Sequence, residues 1–229
     1  MTTPRTVSTA ELEQSWVVAN TTMNRGRGLS GVNSYARELG RDPLDALAGR
    51  TAPCWLDLCS GEGRALCEAA AVLPADAVLT GVDLVGPMFP APLPATVELV
   101  TASVSAWAPD RAQHLVTCVH GLHYVGDPLG LLARAATWLT PDGLLLAHFD
   151  PGLIRWADGS PAGPAALAAL RAAGFRHSRS RSLLVLEGGR RPVLPFRHLG
   201  ADPDAGPGRT GQPAVAAHYA PAPGGAAGG

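Results

Sequence analysis

Trp55-Leu-Asp57-Leu-Cys59-Ser-Gly61-Glu-Gly63 places an acid inside an apolar run and two glycines directly behind it. The run reads as a buried strand and the glycines as a tight turn. Glycine tolerates positive φ and has no Cβ, so a ligand can come close to the backbone N–H groups of such a turn. About twenty residues further on, Leu79-Thr-Gly-Val-Asp83 ends a second apolar run in another acid, at an offset where a carboxylate accepts hydrogen bonds from ribose hydroxyls. Aspartate is also common in plain turns, where its side chain bonds nearby N–H groups. Two of them around a Gly-x-Gly turn favour a nucleoside ligand. A third group, His120-Gly-Leu-His123-Tyr124, follows another apolar run. Histidine there can take a proton from a hydroxyl or amine near neutral pH, or can equally be a hydrogen-bonded core residue.

These residues need elements to hold them. Strands are predicted near 54–58, 79–83, 97–101, 114–120 and 143–149, and helices near 62–73, 128–139 and 161–173. Such alternation argues a parallel sheet with helices on both faces. Ligands of open sheets bind outside the carboxyl ends of the strands, where both acids and the histidine loop fall. The Thr140-Pro-Asp-Gly143 turn is predicted to close the helix before the fifth strand. Upstream, Ser8-Thr-Ala-Glu11 fits a capping box, with Leu12, Trp16 and Val17 following at helical spacing. Residues 22–31 read as a loop, and Asn33–Leu39 and Pro43–Leu47 as short helices. Residues 1–50 therefore read as a helical N-terminal cap or lid, 51–220 as the sheet domain, and 221–229, which hold only Ala, Pro and Gly, as a disordered tail. Ser182–Glu187 and Pro192–Arg197, on either side of Gly188-Gly189-Arg190-Arg191, read as an antiparallel hairpin. Residues 200–213 read as a loop and Val215–Tyr219 as a last short strand.

A chain of 229 residues with net charge −1 and pI ≈ 6.6 lacks the basic excess of a nucleic-acid binder. It shows no charged-then-apolar leader and no apolar run long enough to span a bilayer, so a cytoplasmic protein without a membrane partner is expected. Cys54, Cys59, Cys67 and Cys118 form no C-x-x-C pair, which favours reduced thiols over disulfides or a metal site. All 18 Lys+Arg residues are arginine, which removes P-loop, Schiff-base and kinase-type lysine chemistry. Arg176, Arg179, Arg181, Arg190 and Arg191 form a local basic group, with 179 and 181 on one face of a strand. A solvated sheet edge that resists pairing explains the group better than an anionic substrate does.

Asp57-Leu-Cys-Ser-Gly-Glu-Gly63 resembles motif I of the Rossmann-like (class I) S-adenosylmethionine-dependent methyltransferases. Asp83 resembles their ribose-binding position, and Leu115-Val-Thr-Cys-Val-His-Gly-Leu-His-Tyr-Val125 their fourth strand and the loop after it. Trp138-Leu-Thr-Pro-Asp-Gly-Leu-Leu-Leu-Ala147 is similar to the turn into their fifth strand. The resemblance covers about residues 50 to 200 and implies an α/β fold: a Rossmann-like seven-stranded sheet flanked by helices, in order 3-2-1-4-5-7-6 with one antiparallel strand. It implies S-adenosyl-L-methionine as cofactor, S-adenosyl-L-homocysteine as product and no metal. The implied cofactor contacts are Asp57, Cys59, Gly61, Gly63, Asp83, Leu84, Ser103, Val104, His120 and Tyr35. The carboxypropyl arm would sit by the glycine turn, the ribose on Asp83 and the adenine near Ser103 and Val104. Cys59 stands where many relatives have the first glycine, Ser103 where an acid often meets the adenine amino group, and His114 where an aspartate often opens the fourth strand. An arginine or tyrosine of the cap can meet the methionine carboxylate in related enzymes; Arg25 reads better as part of a solvated loop. Trp16 and Trp107 read as core or lid packing.

The expected activity is methyl transfer to a small molecule, in specialised-metabolite biosynthesis, with His120 or His123 as catalytic base. The loop H-G-L-H-Y, which is not N-P-P-Y, disfavours methylation of adenine or glutamine amides. A peptide or protein acceptor stays open, as does the oligomeric state, a homodimer included. Two rivals share the pattern. A nicotinamide-dependent oxidoreductase would want G-x-G-x-x-G, but Leu66 occupies the third glycine position. A non-catalytic cofactor-binding subunit would need no further residue.

Overall fold

The computed structural model describes residues 6–19, 25–88, 92–209 and 211–223. Its main sheet has seven strands: β1 (Cys54–Leu58), β2 (Val78–Asp83), β3 (Val97–Thr101), β4 (Gln113–Cys118), β5 (Leu139–His148), β7 (Arg176–Ser178) and β8 (Leu183–Glu187). Their order is β3-β2-β1-β4-β5-β8-β7. The first five are parallel, while β8 runs antiparallel to both β5 and β7. Counted within this sheet alone, that is the expected 3-2-1-4-5-7-6. All five residues of β1 are buried, as a central strand covered on both faces requires. Helices α4 (Arg64–Ala70), α5 (Pro128–Trp138) and α6 (Gly163–Ala172) pack around it, and two large apolar clusters fill the layers on either side.

A smaller sheet, unforeseen from sequence, joins β6 (Ile154–Trp156), β10 (Ala216–Pro221) and β9 (Phe196–Asp202) in that order. The hairpin expected over 182–197 does not form. Gly188 and Gly189 donate their N–H groups to the carbonyls of Gly143 and Thr140, so the chain is drawn over the start of β5 and not back upon β8. A Cβ on Gly189 would lie 2.3 Å from the Leu139 carbonyl oxygen, which shows how close that approach is. The segment beyond then pairs with β10. The 200–213 loop accordingly begins only after Asp202. Pro221 closes β10, and residues 224–229 of the predicted tail lie outside the described residues. The Thr140–Gly143 turn is absorbed into β5 as an irregularity: Gln113 pairs with Leu139, and the next pair is Leu115 with Leu144.

At the N-terminus, Ser8 and Glu11 form the capping box of α1 (Thr9–Glu13), and α2 (Trp16–Ala19) follows. Leu12 and Val17 are buried against Ala201 and Val215, whereas Trp16 is 55% exposed and is not core. Val7 bridges to Ala201, so the chain start leans on the small sheet. Of the 22–31 loop, residues 22–24 lie outside the described residues. The helix α3 (Tyr35–Leu39) begins at the Ser34 cap and ends at Gly40 in the left-handed conformation, and Pro43–Ala46 make a 3-10 turn. His114 accepts the Cys54 N–H on Nδ1 at 2.9 Å, which gives this residue a role in satisfying the start of β1. Among the described residues no helix is long and apolar enough to cross a membrane.

One hydroxyl ties the small sheet to the main domain. Buried Tyr219 of β10 donates to Asp127 at 2.7 Å and accepts the Leu129 N–H at 3.2 Å, at the start of α5. Tyr219→Phe should destabilise the protein by about 1–3 kcal/mol, the cost of leaving a buried polar group unpaired. Urea denaturation checks this; an unchanged midpoint would mean that the small sheet is held by apolar contact alone.

Candidate active site

A cavity opens at the carboxyl ends of β1, β2 and β4, between the sheet and the segments that precede it. Cys59, Ser60 and Gly61 line one side, Asp83, Leu84 and Val85 the next, then Ser103–Ser105, and His120 and His123. Glu13, Val18, Arg25, Arg27 and Tyr35 close it from the N-terminal segments.

The glycine turn works differently from its sequence reading. Its N–H groups are already used: Ser60 donates to Val82, Gly61 to Asp83, Glu62 to Arg25 and Gly63 to Ser60. A Cβ on Gly61 would lie 2.5 Å from the Arg25 carbonyl oxygen, and one on Gly63 equally close to Leu99 Cδ2. The glycines therefore admit the chain's own segments, and Gly63 does not reach the cavity. Cys59 is held at φ +58°, a left-handed conformation uncommon outside glycine. A hydrogen bond with Cys118, followed by burial, raises its thiol well above the ordinary range, so it is not a thiolate nucleophile.

Arg25 is 9% exposed and is a strut, contrary to the solvated loop expected. Its guanidinium donates to the carbonyls of Val85 and Gly86 and stands 3.6 Å from Asp83 and 3.4 Å from Glu62. Asp83 accepts the N–H groups of Gly61 (2.9 Å) and Val85 (3.0 Å), one on each oxygen, leaving a second lone pair on each. Arg27 also lines the cavity, and no ion pair engages it among the described residues. At the far end Ser103 donates to Glu13, an acid from α1 standing where the chain lacks one after β3.

Asp57 does not line the cavity. It is buried beneath it, accepting Tyr35 OH on one oxygen and Thr117 Oγ1 on the other, both at 2.6 Å. Burial pushes its pKa up to about 7 despite those two donors. Tyr35 is correspondingly committed to Asp57 and is not free to meet a ligand carboxylate; burial and Asp57 raise its phenol well above the ordinary value. Asn33 is exposed and takes no part.

Three residues after Tyr35, Glu38 accepts His120 Nε2–H at 2.8 Å. His120 follows β4 at φ +60°, a left-handed turn that throws its ring over the cavity wall. Beneath it His148 stacks at 4.0 Å and 5°, and His123 stands edge-on at 5.9 Å. Burial first, then His120, lowers the pKa of His123 to about 4 and that of His148 to about 3, so both are neutral at pH 7. The donor atoms of Glu38, His120 and His148 lie within 4.8 Å of one another, near enough to share an ion. The face-to-face rings oppose this, because one ion cannot lie in the planes of two parallel imidazoles. The arrangement is a hydrogen-bonded pair resting on a third ring.

Fold and cavity together define an α/β protein with its cavity at the carboxyl ends of the sheet strands. The family described as a methyltransferase domain matches residues 32–179, more than half of the chain, and the protein belongs to that family. No curated protein matches the sequence. Among solved structures, similarity extends to the S-adenosylmethionine-bound amino pentose methyltransferase CalS10 of Micromonospora echinaspora, involved in calicheamicin biosynthesis (20% identity over 58% of this chain and 56% of that one, TM-score 0.39). It extends to the plantazolicin methyltransferase BpumL with S-adenosylhomocysteine (14%, 60% and 51%, TM-score 0.40). A third is the cyclase SpnF (17%, 76% and 74%, TM-score 0.49). The chain spans little more than half the length of the first two.

Glu13, Arg27 and Glu38 escaped sequence reading. Glu13 and Glu38 meet partners far away in sequence, Arg27 reaches the cavity from the N-terminal segment, and none stands at a diagnostic spacing. The buried Asp57 makes a testable signature. Its pKa is raised on folding, so its contribution to stability is fully present below about pH 4 and is lost as the pH rises through 7. Asp57→Asn should gain on the wild type between pH 5 and pH 7, with a slope approaching about 1.4 kcal/mol per pH unit. Parallel urea titrations at several pH values measure that difference; parallel curves would show that Asp57 ionises normally.

Proposed function

We propose that the protein transfers a methyl group from S-adenosylmethionine to a small molecule bound beside His120. The observation that carries this reading is His120, held by Glu38, on the wall of the cavity at the carboxyl ends of the strands. The donor set fits the cofactor: Asp83 for ribose hydroxyls, Ser103 and Glu13 with Val18 and Val104 for the base, and unpaired Arg27 for the carboxylate. When bound, the cofactor supplies an electrophilic methyl group on a sulfonium. The chain's task is then to align an acceptor and exclude water.

Because Glu38 takes the Nε2–H of His120, the lone pair of a neutral ring lies on Nδ1, a buried atom with no partner among the described residues. Turned toward the acceptor as it binds, that nitrogen takes the proton of a hydroxyl or an acidic carbon while the methyl group arrives. His123 is a poor base because burial depresses its pKa to about 4. The nicotinamide reading is disfavoured by Leu66, fully buried where a third glycine would be wanted.

S-adenosylhomocysteine should raise the melting temperature while NAD does not, since a ligand of the native state must stabilise it. Asp83→Ala should weaken that binding by roughly tenfold to a hundredfold, the worth of hydrogen bonds to a charged group. No thermal shift at large ligand excess would remove the cofactor cavity from the argument. With an acceptor found by tritiated-methyl transfer into metabolite pools, His120→Ala should lower single-turnover rates by ~10²–10⁴ and His123→Ala by much less. Near-native rates in the His120 variant would leave alignment alone as the source of catalysis.

A further inference from the structure

A second cavity lies behind the first, and His120 and His123 line both. The two rings are thus the partition between the cofactor space and another chamber. Its remaining walls are His148, Asp150, the turn Ser180–Ser182 and Arg209. This turn replaces the strand expected there, and it carries Arg181 to the chamber's rim. Arg176 pairs with Glu187 and Arg190 bonds the Glu187 and Gly188 carbonyls, so neither shares its surroundings.

The chamber's charges are unbalanced. Arg181 and Arg209 have no ion-pair partner among the described residues. Asp150 is the one carboxylate on its wall, and both of its oxygens already accept backbone N–H groups, from Gly152 and Arg209 at 2.9 Å. The nearby Glu38 is committed to His120. Within the wall, His123 is 6% and His148 2% exposed, and each has a buried ring nitrogen without a partner among the described residues. His148 gives its other N–H to the Glu38 backbone, so its free nitrogen is an acceptor, and the His123 nitrogen is the one left to meet an anion from outside the chain. Arg181 and Arg209, the latter also giving one N–H to the Arg179 carbonyl at 3.0 Å, stand with serine hydroxyls beside a single carboxylate, so the chamber holds one positive charge in excess and suits an anion.

We infer that this second chamber holds an anionic group of the methyl acceptor, a carboxylate or a phosphate, with Arg181 and Arg209 as its recognition residues. The inference rests on reading the first cavity as the cofactor's, which places the acceptor's nucleophilic atom at the His120 partition and its anionic end beyond it. The acceptor is thus a small acid whose charged group reaches one chamber while its nucleophile faces the other.

The test uses the full chain saturated with S-adenosylhomocysteine, titrated with inorganic phosphate and separately with acetate at constant ionic strength. Binding is followed by the ring resonances of His123 and His148. At least one anion should saturate in the millimolar range, and the double variant Arg181→Gln, Arg209→Gln should weaken it about tenfold or more with unchanged S-adenosylhomocysteine affinity. Tighter binding of phosphate than acetate, or the reverse, assigns the acceptor's anionic group. Failure of both anions to saturate, or equal affinity in the double variant, overturns the inference. Both arginines are exposed, so loss of binding with retained melting temperature is not a folding defect. If S-adenosylhomocysteine itself does not bind, the cofactor reading falls, and the same anion titrations on the free protein still decide the second chamber.

Discussion

The buried carboxylate of Asp57 is the point from which the site is hung. It sits on β1 itself, 1% exposed, and among the described residues two hydroxyls satisfy it, those of Tyr35 and Thr117. Thr117 in turn accepts the indole N–H of fully buried Trp55 at 2.8 Å, so β1 and β4 are joined through side chains as well as backbone. An unsatisfied carboxylate at that depth would be very costly, which fixes α3 wherever Tyr35 can reach. Residues three apart share a helix face, so fixing Tyr35 also aims Glu38. The orientation of His120 therefore depends on a hydrogen bond made on the far side of the cavity floor.

A second constraint is the way the N-terminal segment is strapped to the glycine turn. Arg25 gives its carbonyl to the turn and its guanidinium to the loop after β2, with Glu62 and Asp83 beside it. A turn that would otherwise offer bare N–H groups to a ligand is thereby closed by the protein. The charges that line the cavity belong to side chains: a cation at Arg27 and acids at Asp83 and Glu13.

The histidines show how environment separates identical side chains. His120 is held by a carboxylate at the cavity wall, while His123 and His148 are driven toward the neutral form by burial. Neutral rings can stack and pack without unbalanced charge, and they support the ring that Glu38 holds. The partition they form separates two chambers, one lined by Asp83, Glu13 and Arg27 and the other by Arg181, Arg209 and Asp150.

Local sequence determined the sheet. Apolar-rich runs of five or six residues located β1 to β4 within a residue or two, because burial in a sheet demands hydrophobic side chains. The Ser8–Glu11 box was likewise local, since a cap involves atoms only three residues apart. The hairpin over 182–197 was misread because its glycines bond carbonyls about fifty residues upstream, a contact with no trace in the local pattern. Asp57 was legible as important, and only the tertiary structure showed it to be a buried anchor instead of a ligand contact. Glu13 meeting Ser103, Glu38 meeting His120, and Arg181 sharing a chamber with Arg209 were decided entirely by folding. Hydrogen bonds and charges act over a few ångströms of space whatever the separation along the chain, and sequence spacing records only the short separations.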